Sequence, residues 1–434
     1  MTIPMPKPVT VHSPLLREQY TVVRHKSGLT VYLFPKKLTT TYALIATRFG
    51  SVDNCFRVGD ESVFTTVPDG VAHFLEHKMF ENEDGEDTFV KFSRTGANAN
   101  AYTGFCSTAY LFSCVDEVYA SLDILLRSVF SPYFTEENVK KEQGIIAQEI
   151  RMGEDDPYNA LQYGMLQGLY EKHSARIDIA GTVPSILTIT PETLYRCHRA
   201  FYNPDNMVLC VCGQAELDKV LSVVDGIVGD VTPVKVESVY HEEKAAAYRP
   251  RVEKRMQVAK PLFCIGVKDV AISRDPEERM KKGLAMQLIA SVCFGRSGDF
   301  YNELYREGLI SPQFDSWTWH NSAFSFFSVL GDSPDPEEVY RRFVSYADKL
   351  ARTPIDREDF ERCRRALYAG FIKSFDSTEE IAGNLVDEAL DGCDLFRIGE
   401  LLREMDADTV SQVAAQLFRP EAYTLSTVLP VEDS

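Results

Sequence analysis

Nothing in the 434-residue chain reaches the roughly 18 consecutive apolar residues of a membrane span. The stretch from Met1 to Pro14 lacks an apolar core of signal-peptide length and is broken by prolines instead. Paired cysteine spacing is missing as well. Ten cysteines are scattered, and the one close pair, Cys210 and Cys212, alternates on one face of a strand-like run as small buried residues do. Cysteines without a pairing pattern fit a reducing compartment, so a soluble cytoplasmic protein with no membrane partner is expected. An excess of positive charge is also absent. The formal net charge of −18 argues against a phosphate-backbone binder, and hence against a nucleic-acid partner, while allowing an acidic surface or cavity that attracts cationic peptides. Histidine is sparse, at eight residues.

What is present is enough for a folded globular protein, with 44% hydrophobic and 11% aromatic residues in a chain too long for one compact core. Two of the few histidines fall together in His73-Phe74-Leu75-Glu76-His77. On a helix, residues four apart lie one above the other, so His73 and His77 can offer two imidazole nitrogens to one cation, with Glu76 on the same side. Read backwards, these residues spell the two-histidine and glutamate pattern of zinc proteases, and the forward order is its inverted form. Neutral imidazoles and a carboxylate suit zinc. The alternative is a capped helix whose histidines do nothing.

Around this motif the chain reads as alternating strands and helices. Leu29 to Phe34 and Tyr42 to Ala46 are β-rich runs expected to be adjacent strands, and the motif helix follows Pro68-Asp69-Gly70, capped by Asp69 or Gly70. Phe74 and Leu75 should point into the core. Gly96 to Thr103 and Ser107 to Ser113 form two more strands. Small side chains on the first leave room for another backbone to pair with it.

Thr135-Glu136-Glu137-Asn138 opens a helix running to about Arg151, with a capping threonine and an acidic first turn. Glu142 and Glu149 are seven residues apart, close to two turns, and emerge on one face. A solvated acidic face is the ordinary reading of such a pair. A tetrahedral site, however, needs a third protein ligand beside two histidines. Glu149 completes it and leaves the fourth position for water. Glu142 is then placed to hold an imidazole N–H and fix its tautomer. Further helices begin at Asp156-Pro157 and Thr190-Pro191, each a cap followed by proline. Tyr202-Asn203-Pro204 to Asn206-Met207 leads through a turn into a buried strand ending at Gly213.

With these pieces in order, the chain resembles the insulinase/pitrilysin family of zinc peptidases, which includes the mitochondrial processing peptidase. The resemblance is carried by His73 to His77, Asn100-Ala101-Tyr102-Thr103, the Glu142/Glu149 helix and the Tyr202 to Met207 turn. It implies an α+β fold of two homologous domains, each an antiparallel sheet with helices packed on one face. It also implies a clamshell chamber, of which a chain this long supplies one half, so a dimer is expected. Asn100 and Ala101 fall in the family's substrate-pairing strand, the lesser alternative being that both are only sheet core.

Residues 232–250 turn polar and read as a linker, giving a zinc-binding domain over 1–231 and a homologous domain over 251–434. In the second half, Leu262 to Val267, a capped helix from Asp275 and Ala323 to Ser328 echo the first, as does a long helix from Arg357 to Ser374. The helix from Asp275 to Cys293 contains no histidine, so one zinc per chain is expected. Family members often carry an arginine and a tyrosine, seven apart, that grip substrate in the half without metal. Here Tyr305 and Ser311 stand at those places with one residue missing, Arg306 is out of register, and Arg296 reads as a surface or turn residue. The resemblance therefore suggests a heterodimer with a homologous zinc-less chain that carries the pair, the alternative being a homodimer.

The chemistry follows from the residues. Zinc lowers the pKa of bound water to about 7, and Glu76 is placed to take its proton during attack on a peptide carbonyl. A peptide paired with the strand through Asn100 and Ala101 would lie across the metal. A non-catalytic assembly subunit of the same fold is the competing reading, but a scaffold has no use for the ligands His73, His77 and Glu149 together with a general base.

Overall fold

The computed structural model describes residues 7–228, 231 and 233–431. Met1–Pro6 of the N-terminal stretch, and Thr232 at the start of the expected linker, lie outside them. Two compact units form. One comprises the chain up to Ile150 with Asp178–Tyr240 and Ile372–Leu395, and the other comprises Arg151–Ile177, His241–Phe371 and the chain from Phe396. The units are therefore not the two contiguous halves read from the sequence. The expected linker is also ordered in part. Val236–Ser238 is a strand paired with Cys55–Val58, and the Tyr240 hydroxyl donates to Asp53 Oδ1 at 2.9 Å.

The first unit is built on a seven-stranded sheet in the order Val9–Ser13, Glu18–Arg24, Thr30–Pro35, Met207–Gly213, Thr41–Thr47, Thr108–Cys114 and Asn98–Thr103. Thr30–Pro35 runs parallel to Met207–Gly213, and the other pairs are antiparallel. The strands expected to be neighbours, Thr30–Pro35 and Thr41–Thr47, are thus separated by one that arrives about 160 residues later in sequence. The reason is burial. Met207–Gly213 and Thr41–Thr47 are buried at every residue, so each needs a hydrogen-bonding partner on both sides and cover on both faces. Ala43, Ile45, Leu209 and Val211 join the core with Leu122, Leu125 and Leu126 of helix Val118–Phe130. Tyr42, Leu44, Cys210 and Cys212 alternate with them, and helix Thr378–Leu390 packs on these two strands.

The second unit repeats the last five strands of this order, from Thr30–Pro35 to the edge strand Asn98–Thr103. Its five strands run Arg251–Met256, Tyr423–Pro430, Leu262–Asp269, Ser325–Asp332 and Asp315–His320, again with one parallel pair at the matching place. Helix Pro157–Leu169, capped by Asp156, lies against this sheet. Its approach needs glycine, since a Cβ on Gly168 would meet Thr424 Oγ1 at 2.2 Å and one on Gly164 would meet Ser426 Oγ at 2.4 Å.

Candidate metal centre

The motif helix spans Val71–Lys78. Gly70 is its N-cap, at a φ of 88° that favours glycine, and a Cβ there would meet the Ala180 carbonyl oxygen at 2.4 Å. Asp69 is occupied elsewhere, accepting from Asn54 Nδ2 at 2.7 Å. Phe74 and Leu75 are wholly buried, which fixes the rotation of the helix and turns His73, Glu76 and His77 toward the partly open side. The two imidazole rings lie 4.6 Å apart between centroids, tilted by 57°.

The third candidate ligand, a carboxylate, arrives on helix Glu136–Glu154, whose start is capped as its sequence suggests, with Asn138 N–H donating to Thr135 Oγ1 at 3.2 Å. Val139, Ile146 and Ile150 bury one side of it, and Glu142 and Glu149 face the motif helix. Glu149 Oε1 is 3.4 Å from His73 Nε2, and its Oε2 is 3.5 Å from His77 Nε2. The donor atoms of His73, His77 and Glu149 lie within 4.8 Å of one another, and among the described residues no other group of three gathers in this way.

The donor set fits zinc. Metal bonds of about 2.1 Å at a tetrahedral angle put neighbouring ligand atoms about 3.4 Å apart, which is the spacing of Glu149 from both imidazoles and longer than a good N–H···O hydrogen bond. Glu142 sits behind the set. Its Oε1 accepts from His77 Nδ1 at 3.0 Å, which leaves Nε2 with the lone pair toward Glu149. His73 Nδ1, by contrast, is buried with no hydrogen-bond partner among the described residues.

Electrostatics bind the group together. Burial lowers the His77 pKa, but the hydrogen bond to Glu142 and the charges of Glu76, Glu142 and Glu149 outweigh it and leave it above the ordinary 6.5. Glu149 is held below the usual carboxylate range, first by its contact with His73. For Glu142, burial pushes upward, and His77 and Lys78 more than offset it. Glu76 stands outside the ligand group. Its Oε2 accepts from Thr103 Oγ1 at 2.9 Å, so the last residue of the edge strand orients this carboxylate.

That strand, Asn98–Thr103, lies at the end of the seven-stranded sheet, and the motif helix packs against it. Exposure alternates along it. Ala99, Ala101 and Thr103 are the less exposed set, and Asn98, Asn100 and Tyr102 the exposed one. Asn100 and Ala101 therefore present opposite faces, and Asn100 Oδ1 accepts from the Ala101 N–H at 2.9 Å. Thr103 and Lys78 are neighbours of the site to which the sequence reading gave no role. Lys78 had a visible signal, because it continues the apolar series Val71, Phe74, Leu75 one turn further.

In the second unit, helix Pro276–Ile289 brings no ligands, and the places of the arginine and tyrosine are otherwise used. Tyr305 is half exposed and stacks on Tyr301, Ser311 Oγ bonds Asp332, and Arg306 is exposed. Arg296 is a surface residue bonded to the Pro312 carbonyl.

Comparison with known proteins matches both halves to one family. Residues 65–183 match the family described as Insulinase (Peptidase family M16), and residues 188–367 match the Peptidase M16 inactive domain. The zinc protease YmfH of Bacillus subtilis (strain 168), itself uncharacterized, is 37% identical over 410 residues, covering 93% of this chain and 95% of its own. A solved M16-like peptidase from Alicyclobacillus acidocaldarius has a TM-score of 0.90 at 33% identity, covering 99% of this chain and 100% of that one. A protease from Helicobacter pylori has the same fold, with a TM-score of 0.81 at 19% identity over 98% of this chain and 100% of that one. The chain belongs to the insulinase family of peptidases, M16.

Proposed function

We propose that the chain is a zinc-dependent endopeptidase for peptides or unfolded segments, with one zinc held by His73, His77 and Glu149. The observation that carries this reading is the convergence of His73 Nε2, His77 Nε2 and both Glu149 oxygens at 3.4 and 3.5 Å, with a separate carboxylate, Glu76, beside them. Bound there, zinc would supply a water of lowered pKa and a Lewis acid for the scissile carbonyl. Glu76, oriented by Thr103, takes the proton as water attacks and returns it to the leaving amine. Glu142 holds the His77 tautomer. The strand Asn98–Thr103 ends its sheet and offers that edge to an extended substrate, and Asn100 and Ala101 are the residues we assign to that pairing, the substrate replacing the Asn100 side chain at the Ala101 N–H. The working assembly is a closed dimeric chamber in the cytoplasm, formed with a homologous zinc-less chain, and the homodimer is the alternative.

The test is metal analysis of purified variants. His73→Ala, His77→Ala and Glu149→Ala should each lose zinc, and Glu142→Ala should weaken binding by a smaller factor, roughly 10 to 100. Equal zinc content in Glu149→Ala and the parent would remove Glu149 from the ligand set.

A further inference from the structure

The motif helix buries one stripe, Val71, Phe74, Leu75 and Lys78, at the spacing that puts residues on a single face. Three members are apolar and the fourth is a lysine with no exposed surface, among the largest fully buried side chains of the protein. A methionine or leucine would fill such a position without the cost of taking a cation out of water. A local rule broken this close to a ligand set points to function.

The surroundings of the Lys78 Nζ show what it does. It lies 2.5 Å from Glu81 Oε2, one turn further along the same stretch of chain, 3.4 Å from the Asn138 carbonyl oxygen and 3.9 Å from Glu142 Oε2. Two of these three partners belong to helix Glu136–Glu154, which carries Glu149 two turns beyond Glu142. The Glu142 carboxylate is thus spanned. Oε1 faces His77 Nδ1 at 3.0 Å and Oε2 faces the lysine.

We infer that Lys78 is a positioning residue for the metal centre. Its buried Nζ sets a cation, carried by the helix that delivers both histidines, beside the carboxylate that orients His77. This rests on the zinc reading proposed above. Without the lysine, Glu142 keeps His77 as its partner but loses the cation that attracts its second oxygen from 3.9 Å, and the carboxylate can turn away from the imidazole. Lys78 touches neither metal nor substrate, so its effect should appear in zinc affinity and should pass through Glu142.

The experiment compares the full-length parent with Lys78→Met, Glu142→Gln and the double variant. Zinc affinity is measured by competition with a chelating indicator, and thermal unfolding is followed for the zinc-free proteins. Lys78→Met should fold, with a zinc-free melting temperature below that of the parent, because the Glu81 and Glu142 carboxylates lose their buried cation. Its zinc dissociation constant should rise roughly 10- to 100-fold, the range for lost support behind a ligand. In the Glu142→Gln background the same change should have little further effect. Parental affinity in Lys78→Met, an equal loss in both backgrounds, or a zinc-free Lys78→Met that does not fold would each overturn the inference. A parent that binds no zinc would instead overturn the function on which it rests.

Discussion

His77 is gripped from both sides, by Glu142 at Nδ1 and by Glu149 at Nε2, and the same contacts that aim its lone pair also hold its proton. Its pKa stands above the ordinary 6.5 in the zinc-free protein. Zinc needs the neutral ring, so binding must displace a proton held more tightly than on an ordinary histidine. The sign is fixed by this competition. Above the raised pKa the ring is neutral and zinc binding is unhindered, and as pH falls through that value the affinity declines. A plot of log affinity against pH should therefore bend at a pH higher than an unperturbed histidine would give. In Glu142→Gln, which removes a hydrogen bond and a charge that both raise the pKa, the bend should move to lower pH while the affinity falls overall. An unmoved bend would show that Glu142 does not set the proton affinity of His77.

Elements carry the site because two of them are short-range readings and their meeting is not. The turn before Val71–Lys78, the threonine cap of Glu136–Glu154 and the caps at Asp156, Thr190 and Asp275 are local chemistry, and each helix begins where those residues place it. The spacing His73 to His77 and Glu142 to Glu149 shows which side chains share a face. It does not show that the two faces meet; the need of a tetrahedral site for a third ligand suggested that step, and the resemblance to a known family supported it. The edge strand was legible from its small residues, but the Thr103 to Glu76 contact is a tertiary fact. The larger surprises have one cause. Apolar patterning tells that the strand Met207–Gly213 or the helix Thr378–Leu390 must be covered, but not what covers it. The late strand therefore enters the centre of the first sheet, helix Thr378–Leu390 joins the first unit, and helix Pro157–Leu169 joins the second.

At the scale of the whole molecule, the first unit carries the proposed ligand set and base, whereas the second unit repeats the sheet without these residues and without the arginine and tyrosine in register. An active chamber would then borrow the gripping pair from another chain. The purified chain alone should bind zinc and cleave a fluorogenic peptide slowly, and adding a homologous zinc-less chain that carries the pair should raise turnover at constant zinc content. Full activity of the single chain, unaffected by such a partner, would contradict this. The proposed hydrolysis depends on Glu76 moving a proton beside a metal that it does not bind. Peptide hydrolysis by Glu76→Gln, compared with the parent at equal zinc occupancy and with the same partner present, tests that most directly. The expected result is full zinc and a rate lower by about 100-fold to 10,000-fold, the range for loss of a general base. A fully zinc-loaded Glu76→Gln that cleaves at the parental rate would contradict the mechanism.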